Sequence, residues 1–168
     1  MKTILTAAAL ACCAALPVFA QDTLQDYAEA GGWTIAIDPT LNNGCLMMSA
    51  FEDNSVVRIG FDMTADSGYI LSANPGWDDI EEGTTYPITI TLGDKSFDGQ
   101  ATGTSIDGLP AADILFDSTD FFTALMDGPS LSLSHGESEV MNIDITGSAE
   151  AVVKMIECQD AQVAKQGG

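Results

Sequence analysis

Apolar and polar residues alternate along one short segment after another between residues 32 and 145, and each segment ends in a turn. A period of two sends successive side chains to opposite faces of a strand, so this pattern restricts the chain to β structure with one wet and one dry face. In TTYPITITL, Tyr86, Ile88, Ile90 and Leu92 point inward and Thr89 and Thr91 outward. Pro87 has no N–H to give a ladder, which places it at an edge or bulge. GWTIAID sets Trp33, Ile35 and Ile37 against Thr34, Ala36 and Asp38, and VVRIGFDM puts Val57, Ile59, Phe61 and Met63 on one face. CLMMSAF follows a turn at Asn42-Asn43-Gly44, and YILSAN follows one at Asp66-Ser67-Gly68. Further strands are expected at Phe97–Ala101, Ala112–Phe116, Ser130–Ser134 and Val140–Ile145. Regular spacing with Gly- and Asp-rich turns predicts a mainly β protein, an antiparallel sandwich or partly open barrel of about 8–9 strands.

Two short helices interrupt the pattern. STDFFTALMDGP has Ser118 or Thr119 as N-cap, Asp120 in the first turn, and Gly128-Pro129 as a stop. The second helix starts near Ser148. Ala149, Ala151, Val152, Val153, Met155 and Ile156 cover a wide apolar arc, which predicts deep packing across the sheet. Glu150 and Lys154 have the spacing of an i,i+4 ion pair. QVAKQGG has nothing to bury, so residues 161–168 are expected to fray.

Residues 1–20, MKTILTAAALACCAALPVFA, read as an export leader rather than fold. One Lys precedes an apolar run, and Val18 and Ala20 flank Phe19 as a small-residue cleavage site requires. The run is too short for a permanent anchor. Lipid attachment at Cys12 is the alternative. Cleavage leaves residues 21–160 as a single β-rich domain of a size that supports a sizeable core. Of the four cysteines, Cys12 and Cys13 leave with the leader. In an oxidising compartment the remaining Cys45 and Cys158 pair most simply with each other, stapling the last helix to an early strand. Free thiols or an intermolecular link are the alternatives.

The chain carries 5 basic and 25 acidic residues, a formal net charge of −20, and losing Lys2 makes it more negative still. Such a surface repels nucleic acid and anionic lipid and attracts cations or a basic partner. The acids are scattered among apolar residues, as on the wet face of a folded domain.

Trp33 leading a strand, Cys45 one strand later, and Gly147-Ser148 opening a helix that ends at Cys158 resemble the invasion-associated locus B family of small exported alphaproteobacterial proteins. The resemblance implies a β-rich domain acting in the periplasm or outside a Gram-negative cell, in envelope or host interaction, with no catalytic residues to carry over.

The residues themselves offer little chemistry. The only histidine, His135, starts a hairpin turn with Gly136, while Ser130, Ser132 and Ser134 share the outward face of the strand before it, which reads as a turn histidine rather than a catalytic one. No zinc ligand set, phosphate loop or dinucleotide fingerprint is present, so no cofactor is expected. An oxygen-only calcium site would draw on Asp62, Asp66, Asp78, Asp79, Glu81 and Glu82. The most suggestive stretch is NPGWDDIEEGTTY. There Trp77 beside Asp78 and Asp79 either contacts a ligand or folds back, with Ile80, to cover one end of the fold. Three functions follow: a non-enzymatic exported β-domain binding a protein or envelope component, a small-ligand or calcium-binding module, or a carboxylate-based hydrolase.

Overall fold

The computed structural model describes residues 24–166; the leader lies outside them. Ten strands and two helices follow in order: β1 (Gln25–Ala30), β2 (Trp33–Asp38), β3 (Gly44–Ala50), β4 (Val56–Asp62), β5 (Ser67–Ala73), β6 (Thr85–Leu92), β7 (Lys95–Ile106), β8 (Leu109–Phe116), α1 (Thr119–Asp127), β9 (Ser130–His135), β10 (Ser138–Asp144) and α2 (Ser148–Gln166). All strands join one antiparallel sheet in the order β1-β2-β3-β4-β5-β8-β7-β6-β9-β10. The sheet is open, with β1 and β10 as its edges, and the mainly β, antiparallel expectation is met.

The sheet curls so that its far ends meet. Gly31 in the β1–β2 turn and Gly147 after β10 touch backbone to backbone, and a Cβ on either would collide with the carbonyl of the other. Both also have positive φ, +58° and +87°, which only glycine adopts freely. Of the two architectures expected, the partly open barrel is the nearer description.

The inward alternation largely survives, although Met63 falls in the turn after β4 and Ala36 and Asp38, expected on the wet face, are buried. Trp33, Ile35, Met47, Val57, Ile59, Ile70, Ile90, Leu131, Leu133, Met141 and Ile143 all belong to one buried core. Pro87 keeps its strand because β6 pairs with β7 along its whole length but with β9 only from Thr89 onward. Its missing N–H therefore faces a flank with no ladder to satisfy, and its carbonyl accepts from His135 Nδ1 at 2.7 Å.

Two strands depart from the expected list. β1 (QDYAEA) has almost no apolar alternation and is mostly exposed; it holds its place through backbone pairing with β2. β7 runs 12 residues, longer than the expected Phe97–Ala101, and its inward positions Gly99, Ala101 and Gly103 are too small to register as a hydrophobic pattern.

The helices close one end. α1 buries Phe121, Ala124 and Leu125, and its Gly128 N–H closes on Ala124 O at 2.9 Å. Phe61, Phe97, Phe116 and Phe122 stack around Phe121 or one another, with ring centroids 4.3–6.2 Å apart. α2 packs on β1, β2, β3 and α1. Its N-terminus is tied to α1 by Ser148 Oγ donating to Leu125 O at 2.6 Å.

The buried seam of α2 is narrower than the wheel suggests. Ser148, Ala151, Val152, Met155, Cys158, Gln159 and Gln162 face in, while Val153 and Ile156 are exposed. Cys158 lies within the seam. The helix continues to Gln166, where fraying from residue 161 was expected, because Gln159 and Gln162 are polar members of the packed face. Lys154 pairs with Glu157, not Glu150.

Cys45 and Cys158 are bonded, joining β3 to α2 across 113 residues. The bond is fully buried. A disulfide of this kind fits an oxidising, exported environment.

Candidate functional site: a capped apolar chamber at the open end

Opposite the helical plug, the inward side chains become small. Ala101 on β7 and Ala112 on β8 stand beside Ile88, Ile114 and Leu133, and together they floor a cavity of about 390 Å³. The volume exists because small residues meet across the strands here: Ala112 stands between Gly103 and Ser72, and Ala101 beside Tyr86. It falls in the size range of small-ligand sites, and its lining is predominantly apolar, as such sites are.

The loop between β5 and β6 forms the lid, and its backbone is fixed by its own hydrogen bonds. Gly76 N donates to Asn74 Oδ1 at 2.7 Å, Trp77 N to Asn74 O at 3.1 Å, and Ile80 N to Trp77 O at 3.1 Å. Where the loop returns to the sheet it pairs with β7: Gly83 N donates to Gly103 O and Gly103 N to Thr84 O, both at 2.8 Å. Gly103 is needed there, since a Cβ would run into the Glu81 carbonyl. The Trp77 indole spans the mouth and donates from Nε1 to Val140 O on β10 at 3.2 Å. The ring is half-buried against the core. Trp77 therefore covers the end of the fold and lines the chamber at once.

Polar groups gather only at the rim. The Tyr86 hydroxyl accepts from Glu81 N at 2.9 Å, which leaves its own proton to donate. Tyr86 meets the His135 ring edge-on at 6.0 Å. Because His135 Nδ1 donates to the Pro87 carbonyl, the neutral ring presents Nε2 as an acceptor. Tyr86 and His135 both line the cavity, as does Asp79, whereas Asp78 is exposed and outside the lining. The sequence pointed to Trp77, Asp78 and Asp79 as a ligand surface, of which Trp77 and Asp79 line the cavity, but to Tyr86 as core and His135 as a turn residue. The signal for the chamber was the run of small inward residues on β7.

The calcium arrangement does not form. Asp62 and Asp66 lie at the β4–β5 turn, away from the loop that holds Asp78, Asp79, Glu81 and Glu82. Among the described residues no three His, Cys, Asp or Glu side chains gather as a metal site. Asp62 instead folds onto its own turn, taking hydrogen bonds from Thr64 and Ala65. Burial alone would raise its carboxyl, but these hydrogen bonds outweigh burial and hold it below the usual carboxylate range. Among the described residues no helix is long and apolar enough to cross a membrane.

Fold and site together define a disulfide-clamped, curled antiparallel sheet, plugged by helices at one end and hollow at the other. The sequence matches no family model, and no curated protein matches it. Among solved structures it is similar to the crystal structure of invasion associated protein B from Bartonella henselae. The two share 15% sequence identity over 84% of this chain and 98% of that one, with a TM-score of 0.53. At this identity the likeness is one of fold.

Proposed function

We propose that this protein is an exported, non-enzymatic binding module, and that the chamber under Trp77 takes the apolar part of a small envelope component. The observation that carries this reading is the chamber itself: an apolar hollow of about 390 Å³ beneath a pinned lid, with polar groups only at its rim. An apolar guest would bury its body against Ile88, Ile114 and Leu133 and leave a polar end to Tyr86, His135 and Asp79. Small barrels hold single ligands in this way. Export is supported by the leader-like residues 1–20 and by the buried disulfide.

The test is native mass spectrometry of the protein purified from the cell envelope fraction, followed by organic extraction. A co-purifying apolar molecule at one per chain supports the reading. Unliganded protein that also takes up no apolar molecule when refilled speaks against it.

A second reading, docking of a protein partner, is favoured by one observation. Val153, Ile156 and Val163 are exposed at 53%, 41% and 51% along α2, and Tyr27 on the β1 edge is exposed at 40%. Cross-linking from Val163→Cys in envelope extracts would distinguish it, since a chamber ligand leaves α2 unlinked.

A further inference from the structure

The outer face of the sheet carries a second hollow, separate from the chamber. It has a volume of about 310 Å³ and lies over β4, β5 and β8, between the turn after β2 and the tip of the β7–β8 hairpin. Strand register builds it. Arg58, Leu71 and Asp113 are direct cross-strand neighbours on three adjacent strands. One step along, Tyr69 lies between Gly60 and Leu115.

The charged groups here lack the partners that such groups normally have. Arg58 Nε is inaccessible and makes no hydrogen bond, and among the described residues Arg58 forms no ion pair. Tyr69 is only 5% exposed and borders the groove. Asp113 is more than half buried without a cationic partner, and burial, followed by the nearby Asp62 charge, pushes its carboxyl above the usual range. Burial likewise raises the Tyr69 hydroxyl, with Asp38 adding to the effect, so it stays a proton donor. Opposite charges line one groove and do not meet. Arg58 and Asp113 form no ion pair across it, as expected where a ligand normally stands between them.

We infer that this groove binds a small zwitterion, an α-amino acid or similar aminocarboxylate. Its carboxylate lies against Arg58 and the Tyr69 hydroxyl, and its ammonium group against Asp62 and Asp113. The single arginine of the chain supplies the one anion-binding fork, and the acids outnumber it, so a free anion is disfavoured. Leu71 and Leu115 provide an apolar wall for a side chain. The inference does not depend on the chamber.

Calorimetric titration of the purified, oxidised protein with L-leucine, isocaproate and isoamylamine tests it; the last two lack the ammonium and the carboxylate respectively. Leucine is expected to bind saturably at one site, and each half-ligand at least about tenfold more weakly, in keeping with loss of a charge-assisted contact. Arg58→Gln should abolish the preference for leucine over isoamylamine. Tyr69→Phe keeps the ring and its packing and should weaken leucine several-fold. Amide shifts on leucine addition should map to β4, β5 and β8 and spare residues 74–84. Absence of saturable leucine binding overturns the inference. So does equal binding of leucine and isoamylamine by the unaltered protein, or a shift map centred on Trp77. If Arg58→Gln fails to fold, the half-ligand comparison on the unaltered protein still decides.

Discussion

Cys45 on β3 and Gln159 on α2 are joined by a buried hydrogen bond, the Cys45 N–H donating to Gln159 Oε1 at 2.8 Å, directly beside the Cys45–Cys158 disulfide. The bulk of the fold is thus closed at one point by a covalent bond and a satisfied backbone donor. A helix that follows the last strand is fixed to one of the first. Cα–Cα across the disulfide is 6.1 Å, within the usual span for such bonds.

Removing the disulfide should be costly. For a loop of 113 residues, chain entropy gives about 4–5 kcal/mol. The double variant Cys45→Ala/Cys158→Ala should lose stability of that order in urea unfolding compared with the oxidised parent. A midpoint unchanged from the parent would mean that α2 is held by packing alone.

Gly31 and Gly147 make a separate and sharper test of the curl. Gly32 and Gly147 both have positive φ, +83° and +87°, but a Cβ on Gly32 meets open space whereas one on Gly147 meets the Gly31 backbone. Gly32→Ala should cost about 1–2 kcal/mol, the strain of the left-handed conformation alone. Gly147→Ala should cost clearly more, read as the difference in thermal unfolding between the two variants. Equal losses would mean that the two edges of the sheet do not touch.

Asp113 should be a stability liability of the unliganded protein. Its carboxyl titrates above the ordinary value because of burial and the neighbouring Asp62, while Asp38, Arg58 and Tyr69 border the same groove. A carboxyl whose folded-state pKa is raised costs stability when ionised, and the cost disappears as pH falls through that folded value. Asp113→Asn should therefore raise Tm at neutral pH, with the gain shrinking toward the ordinary carboxylate range near pH 4. A Tm gain independent of pH would contradict this account.

Most of the fold was legible from residue period alone. The inward set of β2, β4 and β6 was readable because Ile, Val and Leu alternate with Thr, Arg, Gly and Asp, and burial rewards one register only. β1 was not legible, because it is an edge strand held by backbone pairing and carries little apolar signal. The buried seam of α2 was misjudged for a related reason: apolarity marks residues able to be buried, but Val153 and Ile156 stay exposed while Gln159 takes an inner place through its bond to Cys45. Of the site, Trp77 announced itself as a large ring in a turn-rich loop. Tyr86, Ala101 and Ala112 did not, because a cavity is written in the smallness of residues from distant strands. Arg58 and Asp113 did not stand out, because their shared groove depends on β5 lying between β4 and β8.

The chamber is most directly tested by titrating the oxidised protein, and an Ala112→Leu variant that fills the floor, with the neutral apolar fluorophore N-phenyl-1-naphthylamine. The account predicts one saturable site in the parent, with energy transfer from tryptophan. In Ala112→Leu that site should be lost while the Tm is maintained. No saturable binding by the parent, or equal binding by both proteins, would contradict it.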